Sequence, residues 1–579
     1  MRNRIKPILI KPSGTIREAM AAIELSPHSK PEPGPAGIAL VTDRRHKLLG
    51  ILTDGDIRKA ILGGVSIDSS VSGIMKKNPV TVKKGLSAFE MMRAIIREIK
   101  ERNIVDHKLD KIVVVDDDNG VHDVLSFFEL WKNTEIHARN VYIVGLGYVG
   151  LTLALTLCEV GFKVHGIDTD KKVAASLRRG RPHFHEVGLE PLLKHHINKN
   201  FFVQSDFKNG ESDIYIIAVN TPVNEKGEVV FDYLKKAITS VAKILKPHDL
   251  IILRSTVSVG TCRKFAIPLI EKISKLKAGE DFYLSFAPER TVEGRALEEL
   301  RILPQVIGGI NEASVDLTTR LFKTINHLIV PVQNLEAAEV VKLLNNSFRD
   351  VSFAYANEVA QACEKFGVNA FEVIEAANRG YPRNKIPSPS PGVGGLCLVK
   401  DPWILVNSAK QVGFNAKLPA LGRKINEEMI KLVAKKVSAF AVKNKIKPNA
   451  LKIFVLGVAF KGEPETSDMR FSPAVDIIKE LQQKFKNIVV YDPVIKTSEL
   501  KKARLSDGQT GLKPVSLADG FEESNCVLVL NNHHSFRDLD IYDLLMKMKK
   551  PGYFFDGWNL FPREAIEGVK GIKYGTFGV

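Results

Sequence analysis

At 579 residues the chain is too long for a single hydrophobic core, and three to four domains are expected. Hydrophobic residues make up 44% of the chain and charged residues 26%, which is typical of a soluble globular protein. No apolar run approaches the roughly 18 residues that a membrane span needs, and the basic N-terminus lacks the apolar core of a signal peptide. We therefore expect a cytoplasmic protein without a membrane partner.

The net charge of +17 is high, and it indicates either an anionic partner or merely a basic, soluble surface. Because the lysines are dispersed along helical stretches and no RNA-type aromatic motif is present, nucleic acid is not expected, and anionic nucleotides explain the charge as well. The five cysteines are odd in number and widely scattered, without a CxxC pair. This pattern argues against disulfides and against a zinc site, so we expect reduced thiols and no metal.

Residues 1–134 are predicted to form two related α+β halves that pack on each other. Strands are expected at 37–41 and 48–52 in the first half and at 111–115 and 121–126 in the second, which also has a helix near 86–101. The Pro/Gly-rich segment 26–37 is an insertion in the first half. A polar linker, 133–138, follows.

Residues 138–325 alternate strands and helices in the manner of a parallel-sheet dinucleotide-binding domain. The buried-type strand 140–144 leads into Gly145-Leu-Gly-Tyr-Val-Gly150, then a helix, and the next strand ends at Asp168. Glycines at such a turn let the backbone and the helix start approach a pyrophosphate, and the acid accepts ribose hydroxyls. This favours NAD over NADP, and the predicted cofactor residues include Gly145, Gly147, Tyr148, Val149, Gly150 and Asp168.

Polar residues follow three further strands of this domain. Thr221, Thr256 and the pair Glu289-Arg290 lie at strand ends, where open α/β sheets bind ligands. Thr221 and Thr256 are candidates for the cofactor, and Glu289 and Arg290 for the substrate. Taken singly, each could belong to a turn without a ligand.

Residues 326–447 are predicted to be almost wholly helical, and 448–579 to form a second Rossmann-like unit. Lys342 and Asn346 share one helix face and could stabilise an oxyanion, although an isolated pair of this kind is more often solvated surface. In Gly394-Gly-Leu-Cys397, followed by Lys400 and Asp401, a cysteine stands after flexible glycines and near charge, which favours a nucleophile. The alternative is a small core residue.

These segments together resemble the UDP-glucose/GDP-mannose dehydrogenase family. The matching motifs, in chain order, are Gly145–Gly150, Asn220-Thr-Pro222, Ser255-Thr256, Pro288-Glu289, Lys342-x-x-x-Asn346, Gly394-Gly-x-Cys397-x-x-Lys-Asp401, Phe460-Lys461 and Tyr491-Asp-Pro493. The resemblance implies NAD-dependent, four-electron oxidation of the C6 alcohol of a nucleotide sugar through a thiohemiacetal and a thioester on cysteine. The implied catalytic residues are Cys397, Lys342, Asn346, Asp401, Glu289 and Thr221. The implied substrate contacts are Glu289, Arg290, Lys342, Asn346, Gly394, Lys461 and Arg470. It also implies a homodimer, or a higher homo-oligomer, through the helical middle domain.

Residues 1–134 resemble a CBS-domain pair. The resemblance implies an adenine-nucleotide site in which Thr53 and Asp56 hold phosphate and ribose hydroxyls. The second half departs from the pattern, since Ser126-Phe-Phe-Glu129 stands where Thr/Ser-x-x-Asp is usual. The alternative is a dimerisation module without a ligand.

The substrate is expected to be a UDP-N-acetyl-hexosamine, GlcNAc or ManNAc, because segments 287–291, 384–395 and 401–403 resemble that type. Leu396 replaces a usual histidine, and Lys400 is typical of the UDP-glucose type. UDP-glucose or GDP-mannose oxidation therefore stays open. So do a two-electron alcohol or hydroxyacid dehydrogenase and a catalytically silent nucleotide-sensing scaffold.

Overall fold

A computed structural model describes residues 3–28, 34–86, 90–91, 94–95, 97–98, 102, 111–126, 139–207, 214–224, 226–503 and 511–578. Most of the predicted helix near 86–101, residues 127–129 and the predicted linker 133–138 lie outside this part of the chain. The chain divides into two compact units, Met1–Ile136 and His137–Val579. No helix among the described residues is long and apolar enough to cross a membrane.

In the part of the first unit that the structure describes, there are two three-stranded sheets with the same topology. Their strands are β1 (Leu9–Ile10), β2 (Ile38–Thr42), β3 (Leu48–Thr53), β4 (Thr81–Lys83), β5 (Lys111–Val115) and β6 (Val121–Ser126). In each sheet a parallel pair is followed by an antiparallel pair with one irregularity at the same place. Buried residues of both sheets, such as Leu40 and Val113, share one core, so the two halves pack on each other as the repeat predicts. The α-helices of this unit that the structure describes from end to end are α1 (Ile16–Leu25) and α2 (Asp54–Leu62).

The second unit begins with an eight-stranded sheet in the order β14-β13-β12-β11-β10-β7-β8-β9. Its strands are β7 (Asn140–Val144), β8 (Lys163–Ile167), β9 (Phe201–Gln204), β10 (Ile214–Ile217), β11 (Leu250–Leu253), β12 (Tyr283–Phe286), β13 (Gln305–Gly309) and β14 (Ile329–Pro331). Neighbouring strands are parallel except β12 and β13. The strand order reverses between β7 and β10, which is where open α/β sheets bind ligands.

Seven α-helices accompany this sheet among the described residues. They are α3 (Tyr148–Glu159), α4 (Lys171–Arg178), α5 (Leu189–His196), α6 (Asp232–Ala242), α7 (Ile267–Ser274), α8 (Ala296–Ile302) and α9 (Glu312–Lys323). The predicted helix after the glycine turn therefore starts at Tyr148, within the motif itself.

The middle of the unit is helical: α10 (Leu335–Phe366), α11 (Ala370–Asn378), α12 (Leu396–Gln411) and α13 (Lys417–Lys443). The Asn334 side chain caps the start of α10 by accepting from Ala337 N, and Gly367 ends it with a φ of 69°. A non-helical stretch between α11 and α12 contains the cysteine loop that the sequence places within this helical region. It carries the glycines that precede Cys397.

A five-stranded parallel sheet in the order β16-β15-β17-β18-β19 completes the unit. Its strands are β15 (Lys452–Leu456), β16 (Asn487–Tyr491), β17 (Cys526–Val529), β18 (Gly552–Asp556) and β19 (Ile572–Gly575). Its helices are α14 (Pro473–Gln482), α15 (Thr497–Leu500), α16 (Leu517–Phe521), α17 (Ile541–Met546) and α18 (Arg563–Glu567). The predicted class, two Rossmann-like sheets joined by a helical middle and preceded by an α+β unit, is confirmed.

Candidate active site

A cavity of about 280 Å³ lies where the first Rossmann-like sheet, helix α10, the cysteine loop and the last domain meet. Of the residues predicted for the site, Gly147, Tyr148, Val149, Thr221, Thr256, Glu289, Arg290, Lys342, Asn346, Gly394, Cys397, Lys461 and Arg470 line it. Gly145, Gly150, Asp168 and Asp401 do not line it. Segments up to about 320 residues apart in sequence thus converge on one space.

The turn after β7 fits a dinucleotide. A Cβ on Gly145, whose φ is 93°, would lie 2.7 Å from the Ala218 carbonyl oxygen, and one on Gly150 would lie 1.8 Å from the Gly145 carbonyl oxygen. Gly147, the N-cap of α3, faces open space and leaves the first helical N–H groups without a side-chain cap. A pyrophosphate can therefore reach the start of the helix closely.

Asp168 lies beside this turn. Its Oδ2 accepts a hydrogen bond from Leu146 N at 2.9 Å, and its Oδ1 accepts one from Asp170 N at 2.9 Å. These bonds hold the carboxylate at the turn while each oxygen retains a lone pair for a ribose hydroxyl. The donor and acceptor set therefore suits the adenosine end of NAD.

The cysteine loop is shaped by close contact with the last domain. A Cβ on Gly394 would lie 2.4 Å from Pro473 Cδ, and one on Gly395 would lie 2.7 Å from the Phe460 ring. Gly395 also has a φ of 87° and is the N-cap of α12. Any larger residue would push the loop away, so the glycine pair is required to place Cys397 in the first turn of the helix.

Cys397 alone among the five cysteines, all of which the structure describes, is exposed. Its thiol is reached through the cavity, but protein surrounds it closely, and this burial raises the pKa of the thiol. Lys342 and Lys400 oppose the rise, whereas Asp401 and Glu293 add to it. The thiol is therefore protonated at neutral pH, and its proton must leave when sulfur attacks.

Lys342 and Asn346 lie on the same face of α10 and line the cavity, as predicted. Asn346 Nδ2 donates to Asp401 Oδ2 at 2.6 Å. Asp401 is fully buried, and its other oxygen, Oδ1, has no hydrogen-bond partner among the described residues. The Asp401 carboxylate orients the Asn346 amide, and its charge also acts on the Cys397 thiol.

Glu289 is a buried carboxylate with several donors. Its Oε2 accepts from Arg254 Nη2 at 2.5 Å, and its Oε1 accepts from the backbone N–H groups of Arg290 and Thr291. Burial acts to raise the pKa of Glu289, but the Arg254 charge and these hydrogen bonds outweigh it, and the pKa is lowered. Glu289 is therefore ionised and already oriented.

Three residues outside the predicted set also matter at the site. Arg254 is buried and holds Glu289, while Glu293 and Arg349 line the cavity. The sequence signal for Arg254 and Glu293 was only their position after β11 and β12. Arg349 lies three residues after Asn346 and seven after Lys342, about one and two helical turns, so the helix period could have identified it.

Lys400 connects the cysteine helix to the first sheet. It is buried, and its Nζ donates to the Thr221 carbonyl oxygen at 3.0 Å. Thr221 in turn donates from Oγ1 to the Thr256 carbonyl oxygen at 2.6 Å. The residue noted as a departure from the N-acetylhexosamine type thus fixes the distance between Cys397 and the strand end at Thr221.

The last domain contributes cations to the cavity. Lys461 Nζ donates to the Glu293 carbonyl oxygen at 2.6 Å, and burial lowers the pKa of Lys461 to about 8 although the Glu293 charge opposes this. Arg470 forms a two-point ion pair with Asp468, at 2.9 and 2.6 Å. Cations so placed suit the diphosphate of a nucleotide sugar.

A buried polar network lies beneath the cysteine loop. Arg423 Nη1 donates to Asp350 Oδ1 at 2.6 Å and, more weakly, to the carbonyl oxygens of Val393 and Leu398 at 3.4 Å. Asn426 Nδ2 also donates to Asp350 Oδ1, at 2.9 Å. The network ties both ends of the loop to helices α10 and α13, which makes the position of Cys397 dependent on the middle domain.

In the first unit, Thr53 and Asp56 bond to each other at the start of α2. Thr53 Oγ1 donates to Asp56 Oδ2 at 2.6 Å, Asp56 N donates back to Thr53 Oγ1, and Asp56 Oδ1 pairs with Lys76 at 2.8 Å. This is a capping box with an added ion pair. The two residues predicted for an adenine nucleotide therefore stabilise a helix start in this structure.

Comparison with known proteins identifies related domains in this chain. Four family models match the chain: a CBS domain at residues 2–63, and the NAD binding, central and UDP binding domains of the UDP-glucose/GDP-mannose dehydrogenase family at 139–326, 336–428 and 454–563.

Named relatives cover the same region. A UDP-N-acetyl-D-mannosamine dehydrogenase of Pyrococcus horikoshii is 32% identical over 74% of this chain and 97% of its own length. One of Campylobacter jejuni is 34% identical over 69% of this chain and 96% of its own length. A solved structure of the UDP-D-ManNAc dehydrogenase from Pyrococcus horikoshii superimposes with a TM-score of 0.68, covering 76% of this chain and 99% of that one. The resemblance seen in the sequence is confirmed: the chain belongs to the UDP-glucose/GDP-mannose dehydrogenase family and is an NAD-dependent nucleotide-sugar dehydrogenase with an N-terminal CBS domain.

Proposed function

We propose that the enzyme oxidises the C6 alcohol of a UDP-N-acetylhexosamine, UDP-N-acetylmannosamine foremost, to the carboxylate, with Cys397 as a covalent catalyst. The observation that supports this most strongly is an exposed cysteine in a cavity shared with the dinucleotide turn, Lys342 and Asn346. Each predicted domain has its own role in this proposal. Residues 138–325 bind NAD, residues 448–579 bind the nucleotide sugar, residues 326–447 form the central domain with the cysteine loop, and residues 1–134 are regulatory or structural.

The first half of the reaction converts the alcohol to an aldehyde. The glycine turn 145–150 and Asp168 would hold NAD, and two NAD molecules in succession would supply the hydride acceptors for the two oxidations of each sugar. Lys342 faces the cavity and stabilises the alkoxide that forms as the C6 hydroxyl passes its proton, through water, to the Asp401 carboxylate. Asn346, oriented by Asp401, donates its second amide hydrogen to the same oxygen.

The second half begins when Cys397 sulfur bonds to the aldehyde carbon and the thiol proton passes to the carbonyl oxygen. The thiohemiacetal keeps the aldehyde bound, and its oxidation leaves a thioester. Water then cleaves the C–S bond, giving the carboxylate and restoring the thiol. Glu289 and Thr221 orient this water; because the pKa of Glu289 is lowered, it acts as a hydrogen-bond acceptor more than as a strong base.

A panel of UDP- and GDP-sugars with NAD tests the proposed substrate. The largest kcat/KM is expected for UDP-N-acetylmannosamine. The relatives named UDP-N-acetyl-D-mannosamine dehydrogenase align with this chain over almost their whole length. Preference for UDP-glucose would instead support the alternative that Lys400 suggests. No turnover with any nucleotide sugar would refute the proposal.

We also propose that the enzyme is a homodimer through the helical middle domain. Leu344, Phe348 and Tyr355 follow one side of α10 and are 54%, 71% and 55% exposed. Apolar residues repeating along one helix face favour burial against another helix. Light scattering on the full chain should give twice the chain mass, and Phe348→Glu should shift it toward the monomer.

An adenine nucleotide at Thr53 and Asp56 remains a proposal for the first unit. A nucleotide would compete with the Thr53–Asp56 bond and the Asp56–Lys76 pair. Calorimetry of the full chain with AMP and ATP, and activity measured with each, tests it. No heat and unchanged activity would leave a structural module.

A further inference from the structure

Outside the active-site cavity, one group of side chains has the composition of a metal site. Potential ligand atoms of Glu465, His533 and His534 all lie within 4.8 Å of one another. Glu465 Oε2 is 3.4 Å from His533 Nε2. Within the described part of the chain, no other three His, Cys, Asp or Glu residues converge in this way.

The segment that carries Glu465 is pressed against the histidines. Asn532 Oδ1 accepts from the backbone N–H groups of Gly462 and Glu463, at 3.0 and 3.2 Å. A Cβ on Gly462 would lie 2.0 Å from His533 N, so only glycine allows this approach. The cluster is thus held by the fold and does not depend on a chance meeting of surface side chains.

His533 supplies an independent sign of a ligand. The residue is only 5% exposed, and its buried Nε2 makes no well-aligned hydrogen bond among the described residues, its neighbour being Glu465 Oε2 at 3.4 Å. That atom faces Glu465. A buried polar atom without a partner is unfavourable unless something binds it.

The other ring nitrogen of His533 can set the required tautomer. Nδ1 lies 2.8 Å from Ser535 Oγ, which can accept a hydrogen bond from an Nδ1–H group and leave the Nε2 lone pair free. Ser535 N lies 3.2 Å from the same nitrogen and favours the opposite tautomer. A cation on Nε2 would select the first arrangement.

We propose that Glu465, His533 and His534 bind a divalent cation of the zinc class, with water at the remaining position. Zinc bonds of about 2.1 Å in a tetrahedron place ligand atoms about 3.4 Å apart, which matches the Glu465–His533 separation. The exposed His534 closes the remaining gap by side-chain rotation. Imidazole and carboxylate ligands favour zinc over magnesium.

The site also joins two domains. His185, from the segment before α5, lies with Nε2 2.9 Å from Glu465 Oε1 and supports the carboxylate from the side of the first Rossmann-like domain. The next residue, Glu186, accepts hydrogen bonds from Tyr148 and Gly294. A bound cation therefore strengthens the contact between the NAD binding and the UDP binding domains.

The test is calorimetric titration of the full chain with zinc chloride after removal of metals with EDTA, accompanied by thermal melting. We expect one ion per chain and a higher melting temperature with zinc. Both His534→Ala and Glu465→Gln should weaken zinc binding by roughly tenfold or more. His327→Ala, which removes an exposed histidine outside the cluster, should bind as the wild type does.

Two results would overturn the proposal. The first is absence of saturable zinc binding by the wild-type chain. The second is binding that both His534→Ala and Glu465→Gln leave unchanged, which would show adventitious binding at other histidines. Because His534 is exposed and Glu465 is partly exposed, these variants are expected to fold; melting of each in EDTA checks this.

Discussion

The cysteine loop and the Thr53–Asp56 segment were both predicted as functional from short motifs, yet the structure gives them different surroundings. Cys397 opens into a cavity, and Lys342 makes no hydrogen bond to any residue that the structure describes. Thr53 and Asp56 bond to each other, and both Asp56 oxygens have partners.

The difference teaches that a motif predicts chemistry only when its polar atoms remain available. Polar atoms that face a cavity without partners need a ligand to satisfy them, whereas those of a capping box are satisfied by the fold. The catalytic proposal is therefore stronger than the nucleotide proposal, and mutations should affect activity at the first place and stability at the second.

The largest effect is expected from Cys397→Ser. A serine hydroxyl forms a poorer acyl intermediate, so complete oxidation should slow by about 10³-fold or more. Steady-state NADH formation measures it. Cys363→Ala, which alters a buried cysteine of α10 outside the cavity, is the control. Undiminished turnover by Cys397→Ser would make the cysteine a bystander.

Lys342→Met should lower kcat by roughly 10²- to 10³-fold, because the alkoxide and the later oxyanion lose a cation. KM should change less, since the effect belongs to the transition state. Lys365→Met on the same helix, where the lysine is exposed, should behave as the wild type. If KM rose by 10²- to 10³-fold and kcat stayed unchanged, Lys342 would be assigned to substrate binding alone.

Arg423→Met tests the network that holds the cysteine loop. It leaves Asp350 buried without its cation, which should cost about 3–5 kcal/mol of unfolding free energy. Chemical denaturation measures it, and adding Asp350→Asn should restore part of the loss. Arg379→Met, which breaks an exposed pair with Glu375, should have no measurable effect. Equal stability of both single variants would contradict the network.

Lys461 predicts a pH dependence of substrate binding. Its pKa is lowered to about 8, so the ammonium is charged below that pH and loses its charge above it. KM for the nucleotide sugar should therefore rise about tenfold from pH 7 to pH 9. Lys461→Arg keeps its charge and should flatten the profile. A flat wild-type profile would remove Lys461 from diphosphate binding.

The smallest effect is expected from Asp56→Ala, which removes the capping box and the Lys76 pair. It should destabilise the first unit by about 1 kcal/mol without changing kcat. Thermal melting and steady-state rates measure the two quantities. Loss of an AMP heat signal in this variant, with melting unchanged, would instead favour the nucleotide site.

Local patterns made much of the fold predictable. The glycine turn and Asp168 lie within one βαβ unit, and Lys342 and Asn346 lie one helical turn apart, so periodicity alone relates them. The antiparallel β13 was not predictable in this way. It depends on packing in which a Cβ on Gly308 would lie 2.2 Å from the Asn334 carbonyl oxygen.

The unpredicted parts of the site depend on contacts between distant segments. Lys400 meets Thr221 across 179 positions, Arg254 meets Glu289 across 35, and His185 meets Glu465 across 280. Without tertiary coordinates, no spacing rule relates such residues. The roles of Arg254 in holding Glu289 and of Lys400 in holding Thr221 could therefore be read only from the structure.

The most direct test of the central claim is the number of NADH molecules formed for each molecule of nucleotide sugar consumed. Single additions of a limiting amount of the preferred UDP-sugar with excess NAD, followed to completion, measure this ratio. The account predicts two, because Cys397 holds the aldehyde between two hydride transfers. A ratio of one, with an aldehyde or ketone as product, would contradict it.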